Sequence, residues 1–242
     1  MGTTPDTPAG SGPDTADATS LEGVRQARYV PPPGATVVLL VRHGESEAAH
    51  PDRPFPLVDG HGDPALHPNG RAQAERVGAR LAHERVDAIY VTSLRRTHET
   101  AAPLAAAIGL EPRLERDLRE VHLGEWEGGL FRFQVAAGHP AALQMRAEQR
   151  WDALPGGEPS DVFHARTQSA FLRIVAAHPD GRVVVVAHGG VIGQLLHHAA
   201  GSQPFAFLGA DNASISEIVV TAEGQQIVRR FNDASHLDDL YA

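Results

Sequence analysis

The sequence predicts an α/β fold with a mainly parallel sheet that helices cover on both faces. Short apolar runs rich in β-branched residues, over 37–41 and 183–186, have the composition of strands buried on both faces. Segments with apolar residues at helical spacing alternate with these runs. Such alternation is typical of a parallel sheet flanked by helices. The 242 residues suffice for one domain of this kind, and two independent domains would be a tight fit.

The elements of the N-terminal half follow in order. The run 37–41 predicts the first strand, and a loop over 47–67, broken by proline and glycine, is expected to lie over a site. A helix comes next, with apolar residues at Ala74, Val77 and Leu81. Residues 88–91 predict the second strand, and 95–108 predict a helix that Gly109 ends.

The C-terminal half repeats the alternation after an irregular middle over 117–158. The later elements are predicted as helix, strand, helix and hairpin, at 160–177, 183–186, 189–199 and 215–231.

The ends of the chain have a different composition from the centre. Residues 1–34 are rich in Pro, Gly, Thr and Asp without periodicity, which predicts a disordered arm. A folded domain is expected over 35–232, and the polar, acidic segment 233–242 predicts a flexible tail.

Charge and composition exclude several classes of function. The formal net charge of −9 argues against nucleic acid and anionic membrane surfaces as partners. The absence of cysteine excludes disulfides and thiolate chemistry. The N-terminus lacks the features of a secretory signal, and no apolar run approaches the roughly 20 residues of a membrane span. A cytoplasmic location is therefore expected.

Two of the predicted strands run into a histidine followed by glycine. The first leads into Arg42-His43-Gly44 and the later one into His188-Gly189. Since ligands of open parallel sheets bind beyond the carboxyl ends of the strands, the two histidines are expected to face one crevice. The glycines are expected to let backbone N–H groups approach a ligand.

The residues around this crevice predict a phosphate site. Arg42 and a second arginine offer forked donors for phosphate oxygens. Arg95 and Arg96 both stand at the start of a helix just after the second strand, and spacing does not separate them. A neutral imidazole between such cations can act as a nucleophile, and Glu120 is a candidate proton donor to the leaving group.

These pieces together resemble the histidine phosphatase superfamily, also called the phosphoglycerate mutase-like family, over about 36–231. The matching segments occur in family order, at 40–46 (LVRHGES), 92–100 (TSLRRTHET), 118–128 (LREVHLGEWEG), 155–158 (PGGE) and 187–189 (AHG). In the second segment Thr92 stands where the family motif S-x-L-x-R has serine, and this alignment selects Arg96 over Arg95.

The resemblance implies a three-layer α/β/α sandwich of the phosphoglycerate mutase-like type and a set of roles. His43 would take the phosphoryl group and Glu120 would be the general acid. The catalytic set would be completed by Arg42, Arg96 and His188, and the substrate-binding set would comprise Arg42, Ser46, Arg96, His188 and Gly189. The resemblance also implies that no metal is used, and no cofactor is expected. The adjacent pair among the 14 histidines, His197 and His198, does not have ligand spacing.

Two positions depart from the family pattern. Ala49 stands where a phosphate-contacting asparagine is common, and Ala187 replaces a serine or threonine. The missing contact is expected to come from Ser46 or a loop residue. Arg146 and Arg150 could add positive charge, but a solvated helix face explains them equally well.

The expected function is hydrolysis of small phosphorylated metabolites by a metal-independent phosphatase through a phosphohistidine. The segment 118–128 is similar to the phosphatase branches and lacks the variant typical of mutases. A mutase that returns the phosphoryl group to a bound sugar acid is the alternative, and a non-catalytic phosphate-binding protein is a third reading. The sequence leaves the natural substrate and the oligomeric state open, with a homodimer as one option.

Overall fold

The computed structural model describes residues 1–2 and 26–240. The chain divides into two units, Met1–Val30 and Pro31–Ala242. In the first unit the described residues have no regular secondary structure. Most of the arm predicted over 1–34 lies outside the described residues, and all of the elements below belong to the second unit.

The second unit contains eight strands and six α-helices among its described residues. The strands are β1 (Thr36–Arg42), β2 (Leu57–Val58), β3 (His61–Gly62), β4 (Ala88–Val91), β5 (Arg113–Leu114), β6 (Arg182–Ala187), β7 (Ile215–Val220) and β8 (Gln226–Asp233). The helices are α1 (Pro68–Leu81), α2 (Arg95–Ile108), α3 (Leu130–Ala136), α4 (Pro140–Glu148), α5 (Ser160–Ala176) and α6 (Gly189–Ala200). No described helix has the length and apolar character needed to cross a bilayer.

Six strands form the central sheet in the order β5-β4-β6-β1-β7-β8. The first four are parallel to one another, and β7 and β8 are antiparallel additions at one edge. The prediction of a mainly parallel sheet that ends in a hairpin is therefore confirmed. The carboxyl ends of β1, β4 and β6 meet at one edge, where the two histidines follow their strands.

Alternate residues of the central strands enter two separate cores, one on each face of the sheet. Val38 and Leu40 of β1 pack with α5 and α6, whose buried residues include Phe171 and Leu196. Val37, Leu39 and Val41 pack with α1 and α2. Since side chains of a strand point alternately to opposite faces, a strand buried on both faces is apolar throughout. The three-layer α/β/α architecture is thus confirmed.

The middle of the chain is more regular than its sequence suggested. Helices α3 and α4 lie within 117–158, for which the sequence predicted no helix. Ala142 and Met145 of α4 join the core on the α5–α6 face. Both helices are short, nine residues or fewer, so they offered little apolar periodicity to detect.

The segment 233–242, for which the composition predicted a flexible tail, begins with the last residue of β8 and continues into a 3₁₀ helix, Ser235–Leu240. Leu237 of this helix is fully buried in the core on the α1–α2 face. A nitrogen of the His236 ring lies 3.0 Å from the carbonyl oxygen of Ala213. Leu237 thus anchors the described part of this segment to the core.

Candidate active site

The two histidines that follow β1 and β6 face each other. Parallel pairing places Arg42 beside Ala187, and the His43 backbone N–H donates to the Ala187 carbonyl oxygen at 3.0 Å. The imidazole ring centroids of His43 and His188 are 5.3 Å apart at an interplanar angle of 60°. One phosphate-sized group can contact both rings at this separation.

The hydrogen bond of the His43 ring determines which nitrogen is free. Nδ1 lies 2.8 Å from the carbonyl oxygen of Gly44, and because a carbonyl only accepts, Nδ1 carries the proton. The neutral ring therefore has its lone pair on Nε2. Burial, assisted by the positive charges of Arg96 and Arg42, holds the pKa of His43 well below its usual value.

Gly44 serves packing and not ligand binding. A β-carbon at this position would lie 2.5 Å from the Gly70 carbonyl oxygen. Its N–H donates to Thr100 Oγ1 at 3.0 Å, so this N–H is not available to a ligand, contrary to the expectation for the glycines after the strands.

His188 is fully buried at the N-cap of α6. Its Nε2 lies 3.0 Å from Thr92 Oγ1, whereas its buried Nδ1 has no hydrogen-bond partner among residues 1–2 and 26–240. Burial, then Arg96 and His43, hold the pKa of His188 well below its usual value. Sequence reasoning placed Thr92 in a motif but did not identify it as the residue that orients His188.

The structure decides between the two candidate arginines at the start of α2. Arg96 is buried and lines the cavity, and its Nη1 donates to the Gly62 carbonyl oxygen at 2.9 Å. Arg95 is exposed and pairs with Glu99 one turn along the helix. Burial lowers the pKa of Arg96 to about 10, which leaves the guanidinium charged at neutral pH. The choice of Arg96 over Arg95 therefore agrees with the geometry.

Arg42 and Glu120 complete the predicted set at the same cavity. Arg42 Nη1 donates to the carbonyl oxygen of Ala210, and Arg42 Nε is buried without a partner in the described part of the chain. Glu120 Oε1 accepts from the Val121 N–H at 3.0 Å, and Oε2 accepts from the Gly190 N–H at 3.1 Å. These bonds orient the carboxyl group and leave each oxygen a further lone pair.

Ser46 and Gly189 lie beside this set. Ser46 is buried, lines the cavity and accepts a hydrogen bond from Arg132 Nη2 at 2.7 Å. A β-carbon on Gly189 would lie 3.5 Å from Arg42 Nε, so this glycine adjoins the guanidinium.

Arg132, His61 and Glu127 line the cavity, and sequence reasoning gave none of them a role. Arg132 comes from α3, in a segment with no recognisable motif. His61 comes from β3, and its buried Nε2 has no partner in the residues described. Arg146 and Arg150 do not line this cavity: Arg146 is exposed and Arg150 pairs with Asp152. No sequence signal distinguished Arg132 from these two arginines.

The cavity has a volume of about 290 Å³ and is lined by both charged and apolar side chains. Its lining includes the charged and polar side chains of Arg42, His43, Ser46, His61, Arg96, Glu120 and Arg132 and the apolar side chains of Phe55, Leu123, Phe131 and Trp151. No group of three or more His, Asp or Glu side chains within the described residues is arranged to hold a metal ion.

Comparison with known proteins shows similarity over most of the chain. The sequence profile of the histidine phosphatase superfamily (branch 1) matches residues 38–233. Phosphoglycerate mutase-like protein 4 of Arabidopsis thaliana is 39% identical over 166 residues, which cover 67% of this chain and 70% of that protein. Phosphoserine phosphatase 1 of Hydrogenobacter thermophilus is 30% identical over 207 residues, 84% of this chain and 95% of that protein.

A solved structure has the same fold. The structure of mycobacterial glucosyl-3-phosphoglycerate phosphatase aligns with a TM-score of 0.68 at 27% identity, over 83% of this chain and 100% of that one.

Proposed function

The chain belongs to the histidine phosphatase superfamily and is a phosphoric monoester hydrolase, and on that premise we propose that it hydrolyses phosphomonoesters of small metabolites through a phosphohistidine on His43. The observation that carries this proposal is the free lone pair on His43 Nε2, which follows from the bond between Nδ1 and the Gly44 carbonyl oxygen. The neutral ring is close enough to the guanidinium groups of Arg96 and Arg42 to feel their charge, and it faces His188. The site thus contains a nucleophile, a hydrogen bond that orients it and groups that can bind an anion.

In the first step His43 Nε2 attacks phosphorus, and the bond between phosphorus and the leaving-group oxygen breaks. The electron pair of that bond goes to the oxygen, which takes a proton from the carboxyl group of Glu120. The product is a phosphohistidine and a released alcohol.

Three side chains near His43 support this step. Arg42, Arg96 and the buried His188 would bind the transferring phosphoryl oxygens and stabilise their charge. His188 Nδ1 has no partner in residues 26–240, so it can donate to a phosphate oxygen if Thr92 Oγ1 donates to Nε2.

In the second step water attacks the phosphorus of the phosphohistidine. Glu120, now a carboxylate, accepts a proton from the water, and the N–P bond breaks with its electron pair returning to Nε2. Inorganic phosphate leaves, and both His43 and Glu120 recover their starting states.

The cavity volume of about 290 Å³ supports a small metabolite as substrate. Drug-sized ligands occupy pockets of about 300–1,000 Å³, so this site is at the small end of the range. We further propose that the reaction needs no metal and that the protein acts in the cytoplasm.

The test compares the wild-type protein with His43→Ala on an aryl phosphate in excess EDTA. We expect the substitution to lower kcat/KM by at least about 1,000-fold, because the nucleophile is lost. His83→Ala, which removes an exposed histidine, is the matched control and should retain full activity. Equal rates for the wild type and His43→Ala would refute the role of His43. Loss of wild-type activity in EDTA that a divalent cation restores would refute metal independence.

A second assay separates hydrolysis from mutase activity. The protein is incubated with 3-phosphoglycerate and a trace of 2,3-bisphosphoglycerate, and products are followed by ³¹P NMR. Release of inorganic phosphate supports the proposal. Accumulation of 2-phosphoglycerate without phosphate release would favour the mutase alternative.

A further inference from the structure

Arg132 is held in a fixed position at the rim of the cavity. Its Nη2 donates to Ser46 Oγ at 2.7 Å, and its Nη1 donates to the Glu47 carbonyl oxygen at 2.8 Å. The guanidinium carbon lies 5.2 Å from the centroid of the Phe55 ring, within cation–π range. A rim arginine would ordinarily extend into solvent, whereas these three contacts direct this one along the cavity wall.

The Arg132 guanidinium makes no ion pair with the described residues. No carboxylate oxygen lies within 4.0 Å of it in the part of the chain that the structure describes, whereas Arg96 has Asp63 at 4.0 Å. Two of its five N–H donors are used in the bonds to Ser46 and Glu47, so three remain for a ligand. Burial and the nearby Arg42 lower the pKa of Arg132, whereas the charge of Glu45 raises it. An anion between the two arginines would relieve their repulsion.

The position of Arg132 differs from that of the other two arginines. Arg42 is the last residue of β1, and Arg96 is buried in the first turn of α2. Arg132 comes from α3 and is bonded to Ser46 and Glu47. In the function proposed above Arg42 and Arg96 bind the transferring phosphoryl group, which leaves Arg132 for another group of the substrate.

There is room for a ligand group beside Arg132. A second hollow, of about 590 Å³, extends past Glu45 and Ala49 and shares several lining residues with the cavity, namely Arg42, His43, Ser46 and Arg132. Arg132 thus lines both the cavity and the second hollow. A substrate with its phosphoryl group at His43 can reach this arginine with a neighbouring substituent.

Resting on the function proposed above, we propose that Arg132 binds a carboxylate of the substrate that is not transferred, so that the preferred substrates are phosphorylated carboxylic acids. One guanidinium with three spare donors matches one carboxylate in charge and in forked geometry. A second phosphate carries nearly twice that charge and would have only this one cation, since Arg42 and Arg96 serve the first phosphoryl group.

Matched substrate pairs test this assignment. Replacing the carboxylate of 3-phosphoglycerate by a hydroxymethyl group gives glycerol 3-phosphate, and removing the carboxylate of phosphoserine gives phosphoethanolamine. We expect the wild type to prefer the acid of each pair by about 10- to 100-fold in kcat/KM, the usual effect of a charge-assisted hydrogen bond. Arg132→Gln should abolish this preference, and Arg132→Lys should keep part of it.

Arg146→Gln is the matched control, because it removes the same charge from an exposed helix position outside the cavity and should leave the preference intact. Thermal unfolding of each variant shows whether it is folded. A preference that survives Arg132→Gln, or an equal loss for both members of each pair, would overturn the proposal. In the second case Arg132 would act on the transferring phosphoryl group instead.

A third pair, glucose 1,6-bisphosphate and glucose 6-phosphate, separates the two kinds of anion. A wild-type preference for the bisphosphate as large as that for the acids, and lost in Arg132→Gln, would refute the carboxylate assignment in favour of a general second anion.

Calorimetric binding of the same pairs to His43→Ala keeps the inference separate from the proposed function. If the wild type hydrolyses none of these compounds, the proposed function fails, but tighter binding of the acids that depends on Arg132 would still support the inference. Equal affinity for both members of each pair would overturn it.

Discussion

The buried histidines show how single contacts set chemistry at the residue scale. His43 owes its free Nε2 to one carbonyl oxygen, and His188 owes its orientation to one hydroxyl group. Both rings are kept neutral because burial and neighbouring guanidinium groups penalise the charged form. A nucleophilic imidazole must be neutral, so the burial that disfavours protonation of His43 supports the proposed reaction.

This burial predicts a pH dependence of stability. Both histidines have a folded pKa well below the ordinary 6.5, so the unfolded chain binds more protons as the pH falls below 6.5. Stability should therefore fall as the pH is lowered through 6.5, and these two groups should have little effect above about pH 7.5. The free energy of unfolding in urea at pH 7.5, 6.5 and 5.5 measures this.

The variant His43→Gln/His188→Gln should show a smaller loss between pH 6.5 and 5.5 than the wild type, whereas His83→Gln, at an exposed site, should show the same loss. An unchanged loss in the double variant would mean that other groups account for the pH dependence.

At the scale of secondary-structure elements, short elements bring residues that are distant in the chain to the site. The β2–β3 hairpin carries the Gly62 carbonyl oxygen to Arg96, and Asp59 at its turn pairs with Arg116 and Arg119. The start of α6 works in the same way, since the Gly190 N–H positions the carboxyl group of Glu120. Each element thus places a backbone group against a charged side chain from elsewhere in the chain.

The start of α6 leads to a prediction for Gly190→Ala. The new β-carbon would lie 2.5 Å from Glu120 Oε1, so the carboxyl group must move, although the flexible side chain can do so without unfolding the protein. We expect kcat/KM to fall by about 10- to 100-fold for an alkyl phosphate, whose leaving group needs a proton, and to change little for p-nitrophenyl phosphate.

Glu120→Gln should show the same leaving-group pattern, and combining it with Gly190→Ala should add little, because both changes act on one proton donor. Additive effects, or equal losses for both substrates, would show that Gly190 does not act through Glu120.

On the scale of the whole molecule, two cores hold the strand ends in register. The core on the α1–α2 face includes Leu237, which arrives from the C-terminal segment and is fully buried.

Leu237→Ala should therefore destabilise the protein by about 2–5 kcal/mol, the usual cost of removing a buried leucine side chain. Urea denaturation measures the change. Leu240→Ala, in the same 3₁₀ helix but partly exposed, is the control and should cost much less. Similar costs for the two variants would argue against anchoring by Leu237.

The sequence by itself determined the features that are local in the chain. Apolar β-branched runs predicted the buried strands. The histidines that follow two of these strands were predicted to lie at one edge of the sheet, because parallel strands align their carboxyl ends. Arg42, His43 and His188 follow from this rule alone. The chemistry of the residues made Glu120 a candidate proton donor, and the family resemblance added its role as general acid and the choice of Arg96 over Arg95.

The tertiary structure decided what depends on the approach of distant segments. The contacts of Arg132 with Ser46 and of Thr92 with His188 join positions 86 and 96 residues apart, and no local pattern records them. Helices α3 and α4 and the anchoring of Leu237 were likewise not predicted, because segments this short have no detectable period. Local pattern sets which elements form, and long-range packing sets which side chains meet.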